Sequence, residues 1–96
     1  MKQFSLLTTE KDKCFLCGVM NCIEHHHIFG GANRKKSTVY GLVVPLCHWC
    51  HNVPPHGVHH NKANREKLQR IAQSAAMERY GWSIDDFRKI FGKNYL

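Results

Sequence analysis

Apolar and polar positions along the 96-residue chain fall into two regimes, short β-compatible runs first and helical spacing afterwards. Residues 1–13 form a leading segment expected to be lightly ordered, with Phe4, Leu6 and Leu7 packing onto the body. Ile23 to Phe29 is short and mixed and stops at Gly30-Gly31, while Tyr40 to Leu46 (YGLVVPL) is apolar and β-branched; together they predict a β-hairpin. Pro45 has no N–H to give a ladder, so it belongs at an edge or at the strand's end. Asn33 to Thr38 reads as a polar loop carrying Arg34, Lys35 and Lys36. Asn52 to Gly57, with Pro54-Pro55 inside it, reads as another.

Two helices are predicted to close the chain. Asn61 or Asn64 caps the first, which runs to about Tyr80 and stops at Gly81, with Leu68, Ile71, Ala72, Ala75 and Ala76 spaced to face the core. The second starts at Ser83, an N-cap with Asp86 three residues on, and ends at Gly92. Trp82 is placed to staple onto Phe87, and Phe87, Ile90 and Phe91 to bury against the first helix.

The cysteines decide how so small a core is held. Cys14-x-x-Cys17 and Cys47-x-x-Cys50 are separated by 29 residues, room for a hairpin, and put four thiolates where one tetrahedral Zn²⁺ can collect them. At this length a core is marginal alone, so a structural metal is physically expected. Met1-Lys2-Gln3-Phe4-Ser5 lacks the apolar stretch of a signal peptide, and no run approaches membrane-spanning length. Zinc-bound thiolates in a reducing cytoplasm are therefore expected in place of a secreted disulfide scaffold. Cys22, the odd cysteine, is expected to be a small buried hydrophobe, and Trp49 to pack in the core or against its knuckle.

Zinc ribbons do not need the histidines. His25-His26-His27 lies between the knuckles, His51 follows the second directly, and His56, His59 and His60 come just after. Imidazole is both a metal ligand and a base that titrates near neutrality, so adjacent histidines can divide those roles. His48 is expected to be exposed or to support a ligand. The formal charge of +7, with neutral histidines, points to a polyanionic partner, with nucleic acid the default.

Glu24-His25-His26-His27-Ile28-Phe29-Gly30-Gly31, followed by Leu46-Cys47-His48-Trp49-Cys50-His51-Asn52, resembles the ββα-metal (HNH) nuclease family. With Tyr40-Gly41-Leu42 and Gly57-Val58-His59 added, the pattern is similar to a phage-associated subgroup related to the recombination-enhancing, RecA-dependent nucleases. The resemblance covers roughly residues 14–60. It implies an α+β, treble-clef-like domain, one unit over 1–96, with the helical tail at 61–96. It also implies a metal-dependent DNA endonuclease acting in phage DNA recombination or processing, in the cytoplasm of a bacterial host.

Residue by residue, the resemblance makes His26 and His51 metal ligands and His27 the general base. His59 is the favoured third ligand, with His60 and His56 as alternatives. The family usually orients its base with an Asn at the position held here by Leu42; Asn33 or a backbone carbonyl would have to substitute. A regular strand sends His26 and His27 to opposite faces, so sharing one site requires the strand to end or bulge there. Arg34, Lys35, Lys36, Arg65 and Arg70 are the expected DNA-backbone contacts. The cofactors would be a structural Zn²⁺ and a catalytic Mg²⁺, Mn²⁺, Ni²⁺, Co²⁺ or Zn²⁺. The partners would be DNA and a RecA-type recombinase filament, with no membrane. The rival reading is a non-catalytic zinc module that binds DNA or a recombinase.

Overall fold

The computed structural model describes residues 4–96. An antiparallel pair, β1 (Ile23–His27) and β2 (Val43–Cys47), sits at its centre, in a register that sets Ile23 opposite Cys47 and His27 opposite Val43. Every residue of β2 is buried. Pro45 stands in the middle of β2 and not at its end; a two-stranded sheet leaves each strand an edge, so the missing N–H is tolerated there. The Pro45 carbonyl accepts from Phe15 N–H at 2.8 Å, which lays the first knuckle on the hairpin. Leu6 and Leu7 pack at the margin of the core, and Leu6 N–H reaches the Gly41 carbonyl at 2.7 Å. Residues 1–3 of that leading segment lie outside the described residues.

The segment between the strands departs from its sequence reading. The predicted polar loop is largely helical: a 3-10 turn at Gly31–Asn33 leads into α1 (Arg34–Tyr40), which ends on Gly41 in the left-handed region at φ 76°. Arg34, Lys35 and Lys36 are good helix formers, and the β-branched residues that follow are too few to outweigh them. Tyr40 therefore belongs to the helix, and β2 begins three residues later than expected. Ser37, fully buried, clamps α1 to the chain leaving β1: its hydroxyl donates to the Phe29 carbonyl at 2.7 Å and accepts from Phe29 N–H at 3.1 Å.

The short helix α2 (His48–Asn52) continues directly from β2, and the loop that follows folds back against it. Gly57 N–H reaches the Val53 carbonyl at 2.7 Å, Val58 N–H the Cys50 carbonyl at 2.8 Å, and His59 N–H the His51 carbonyl at 3.2 Å. A Cβ on Gly57 would come within 2.6 Å of the Val53 nitrogen, so only glycine permits this return.

The helix α3 (Lys62–Tyr80) is capped by Asn61, whose side chain accepts from Asn64 N–H at 2.9 Å. Leu68, Ala72 and Ala76 are fully buried as expected, but Ile71 is exposed, Ala75 only half-buried, and Gln73 takes a core position. The Gln73 amide ties down the C-terminus from there, donating to Asn94 Oδ1 at 2.8 Å and accepting from Tyr95 N–H at 2.7 Å. The helix α4 (Ile84–Phe91) begins with the full Ser83–Asp86 capping box. Its Phe87 and Phe91, together with Tyr95, surround Phe29 at ring-centroid distances of 4.9 to 5.5 Å. Trp82 stacks on Tyr80 and meets Tyr40 edge-on. The architecture is α+β: a hairpin packed with a short helix, a four-cysteine cluster consistent with zinc, and two C-terminal helices.

Two further residues lie where the sequence did not put them. Cys22 is exposed with φ 53°, turning the chain into β1, and is not a buried hydrophobe. Trp49, on the solvent side of α2, is 53% exposed and outside the core.

Candidate metal centres and the histidine cleft

Each knuckle is a tight turn that aims backbone N–H groups at sulfur. Cys17 N–H points to Cys14 Sγ at 3.4 Å, and Cys50 N–H to Cys47 Sγ at 3.5 Å. The hairpin brings the two knuckles together, so that Cys14, Cys17, Cys47 and Cys50 gather with all four sulfurs within 4.8 Å of one another. Burial by itself would raise the Cys14 thiol, but backbone N–H groups around it, that of Cys47 foremost, outweigh burial and bring it down to about 6. Cys50 is pushed upward, first by burial and then by the neighbouring thiols. Protein groups alone thus favour one thiolate while opposing another close by, and a cation at the centre removes the conflict. The donor set suits Zn²⁺.

The second cluster is built by three separate devices. β1 carries His26, opposite Val44 and 4% exposed. α2 carries His51, and the glycine-dependent return of residues 57–59 carries His59 over it. Arg65 steadies that return, donating from Nη1 to the Val58 carbonyl at 3.1 Å. The three rings lie 4.7 to 5.2 Å apart between centroids, and one ring nitrogen of each falls within 4.8 Å of the others. His56 and His60 are exposed and stand outside this group.

Glu24 fixes the chemistry of His51. A carboxylate only accepts, so the 2.7 Å contact from His51 Nδ1 to Glu24 Oε1 puts the His51 proton on Nδ1 and leaves Nε2 as a lone-pair donor. That Nε2 lies 3.0 Å from Nε2 of His59. Glu24 also accepts from Nδ1 of exposed His48 at 3.1 Å, and the two histidine bonds, that of His51 first, hold its carboxyl below the usual range. This is the support a metal-ligating imidazole ordinarily has behind it. Sequence reasoning gave Glu24 no role; its place one pleat before His26 was the available signal.

His26 decides whether a cation fits. Its Nε2 is buried without a hydrogen-bond partner, an arrangement that costs about 1–3 kcal/mol for a polar atom left unsatisfied. Burial, then the charges of His51 and His59, push its pKa down to about 3, so the ring is neutral and offers a lone pair. A proton cannot fill the gap at neutral pH. A divalent cation shared with His51 and His59 would.

His27 lies beside this cluster without joining it. β1 ends at His27, and a cleft of about 350 Å³ is lined by His25, His26, His27, Gly30, Gly31, Arg34, His51 and His59. The ladder runs on through His27 opposite Val43, with no bulge there, so His27 reaches the same cleft as His26 without entering the three-histidine group. Burial lowers the His27 pKa first, with Arg34 and His25 adding charge repulsion. Neither expected substitute for the family's asparagine holds its ring. Asn33 is spent on the Phe91 carbonyl, at 2.9 Å, and the contact to His27 Nε2 comes from Thr38 Oγ1 at 3.0 Å. Leu42 is fully buried in the core and does not line the cleft.

The basic residues disperse. Arg34 reaches the cleft and Lys35 is exposed beside it on α1. Lys36 turns away, its Nζ meeting the Ile90 carbonyl. Arg65 is engaged under His59, and Arg70 is exposed along α3, outside the residues that line the cleft. Among the described residues, no helix is long and apolar enough to cross a membrane. No protein-family model, curated protein or solved structure matches this chain.

Proposed function

We propose that this chain is a metal-dependent DNA endonuclease of the ββα-metal (HNH) kind, with residues 14–60 as its working part and 61–96 as a supporting tail. The observation that carries the reading is the pairing of a three-histidine cluster with His27, which lines the same cleft outside the cluster and has one ring nitrogen bonded to Thr38 and the other free. A structural site has no use for this fourth histidine. Phosphodiester hydrolysis does, because it needs a base for water as well as a cation for the developing charge.

His26, His51 and His59 would hold a divalent ion, which supplies positive charge to the phosphoryl oxygens and the departing 3′ oxygen. An all-imidazole set favours Zn²⁺, Ni²⁺, Co²⁺ or Mn²⁺ in affinity, with Mg²⁺ more abundant in cells. His27, kept neutral by burial and by Arg34, takes the proton from water as it attacks phosphorus in line with the 3′ oxygen, leaving 5′-phosphate ends. Arg34 and Lys35 contact the phosphates flanking the scissile bond, and Arg70 a more distant one, without reading sequence. Lys36 and Arg65 contribute charge while holding α1 and the His59 loop. The setting would be phage DNA recombination or processing in a bacterial cytoplasm, with a RecA-type filament as the partner presenting the strand.

The experiment is to incubate the zinc-loaded protein with nicked, duplex and single-stranded DNA across Mn²⁺, Ni²⁺, Co²⁺, Zn²⁺ and Mg²⁺, with and without a recombinase filament. Metal-dependent cleavage that disappears in His27→Ala is expected. Absence of cleavage under every condition would leave a zinc module that binds DNA or a recombinase.

A further inference from the structure

Thr38 has an unusual position for a helix surface residue. Its hydroxyl lies 3.3 Å from the Arg34 carbonyl, one turn back along α1, and 3.0 Å from Nε2 of His27. A hydroxyl has a single proton and two lone pairs. With the proton directed back to the Arg34 carbonyl, a common habit of threonine within helices, only a lone pair faces the imidazole. His27 must then donate, which puts its proton on Nε2 and leaves Nδ1 bare.

We propose that Thr38 is the positioning residue for His27, selecting the Nε2–H tautomer so that Nδ1 is the atom that accepts a proton. The assignment of the tautomer rests on this geometry; its catalytic consequence rests on the nuclease reading above. Two features suit Thr38 to the role. The adjacent Ser37 is clamped at both ends to the Phe29 backbone, fixing α1 against the chain two residues beyond His27. The Thr38 hydroxyl is also bonded back to the Arg34 carbonyl, which directs its proton away from the imidazole. Leu42 is buried in the core and Asn33 is bound to Phe91, so neither competes for the ring.

The test compares Thr38→Val, which keeps the shape and removes the hydroxyl, with Thr38→Ser, which restores it. Long-range ¹H–¹⁵N correlation spectra of the zinc-loaded full chain, at about pH 8 where an ordinary imidazole is neutral, report which His27 nitrogen bears the proton. Wild type and Thr38→Ser are expected to show it on Nε2, and Thr38→Val to show a tautomer mixture. In turnover, Thr38→Val should lose roughly tenfold in kcat, about the worth of one hydrogen bond, with unchanged DNA affinity. Thr38→Ser should recover most of it. A wild-type proton on Nδ1, or a Thr38→Val spectrum matching wild type, overturns the proposal. A wild type that shows the Nε2 proton, loses it in Thr38→Val, and yet cuts no DNA upholds the role of Thr38 and sinks the nuclease reading alone.

Discussion

Glu24 Oε1 and His51 Nδ1 are 2.7 Å apart, and that contact aims the opposite nitrogen of His51 at His26 and His59. The pair joins the hairpin to α2, so the orientation of a candidate ligand on one element is set by a carboxylate on another. Removing such a support typically costs 10–100-fold in metal affinity. Glu24→Ala should weaken binding of a second divalent ion by about that factor, measured by calorimetric titration or chelator competition. The first, thiolate-bound zinc should stay in place. Equal loss at both sites would mean that Glu24 supports the fold and not the ligand.

The cysteine cluster and the histidine cluster should separate cleanly under mutation. Cys14 and Cys47 are buried beside the core, so the free energy of a zinc held by the four thiolates would be part of the folding free energy. Cys14→Ser or Cys50→Ser should unfold or precipitate the protein, read by circular dichroism and recovery. His27 is half-buried, stands outside the ligand cluster and bonds the Thr38 hydroxyl. His27→Ala should therefore keep both metals and shift the melting midpoint little. If it melts the protein as badly as Cys50→Ser does, the assignment of His27 as a free base fails.

How much of this was legible depends on whether the determinants were local. Cap and stop residues were, because a Ser–Asp box or a left-handed glycine acts within a few residues: Asn61, Gly81, Ser83 and Gly92 all stand where the spacing put them. The cysteine knuckles were legible because their turn and their chemistry are both encoded within four residues. α1 was misread because its polar sequence looked like a loop, while its burial rests on a single residue, Ser37, bonded to a distant backbone. Ile71 and Gln73 exchanged roles for a similar reason. Helical spacing alone could not reveal that Asn94 and Tyr95 return to satisfy a buried amide. In the site, the Gly57-Val58-His59 match already favoured His59 over His56 and His60; what only three dimensions show is the close approach of Gly57 to Val53 that carries His59 over His51. Thr38 could not have been found by matching a family's asparagine, since it sits on the intervening helix and not on the strand.

DNA binding should be electrostatic and indifferent to sequence. Arg34 lines the cleft and Lys35, next to it on α1, is exposed to solvent, whereas Lys36 is occupied by the end of α4. Replacing Arg34 and Lys35 with Ala should lower affinity about equally for unrelated duplexes. The slope of log affinity against log salt should flatten by roughly 0.9 for each phosphate that the protein no longer neutralises. Lys36→Ala should change the slope less and the melting midpoint more. A sequence-selective effect would instead indicate direct reading of base edges.

The pH dependence of cleavage follows from the environment of His27. Burial, followed by the positive charges of Arg34 and His25, disfavours its protonated form and moves its pKa below the ordinary imidazole value of about 6.5. A general base works only when deprotonated, so activity should rise with pH and reach half its maximum below that value. A divalent ion on the neighbouring histidines pushes in the same direction. Removing Arg34 takes away one source of repulsion, so Arg34→Gln should move the midpoint upward, toward the ordinary value, in addition to weakening DNA binding. The measurement is single-turnover cleavage at saturating DNA and metal from about pH 5 to 8, which separates the base's titration from substrate affinity. His27→Ala should lower the plateau by roughly 10²–10⁴ and remove the inflection. A wild-type profile that falls with rising pH, or a midpoint unmoved when His27 is replaced, would assign the proton transfer to a different group.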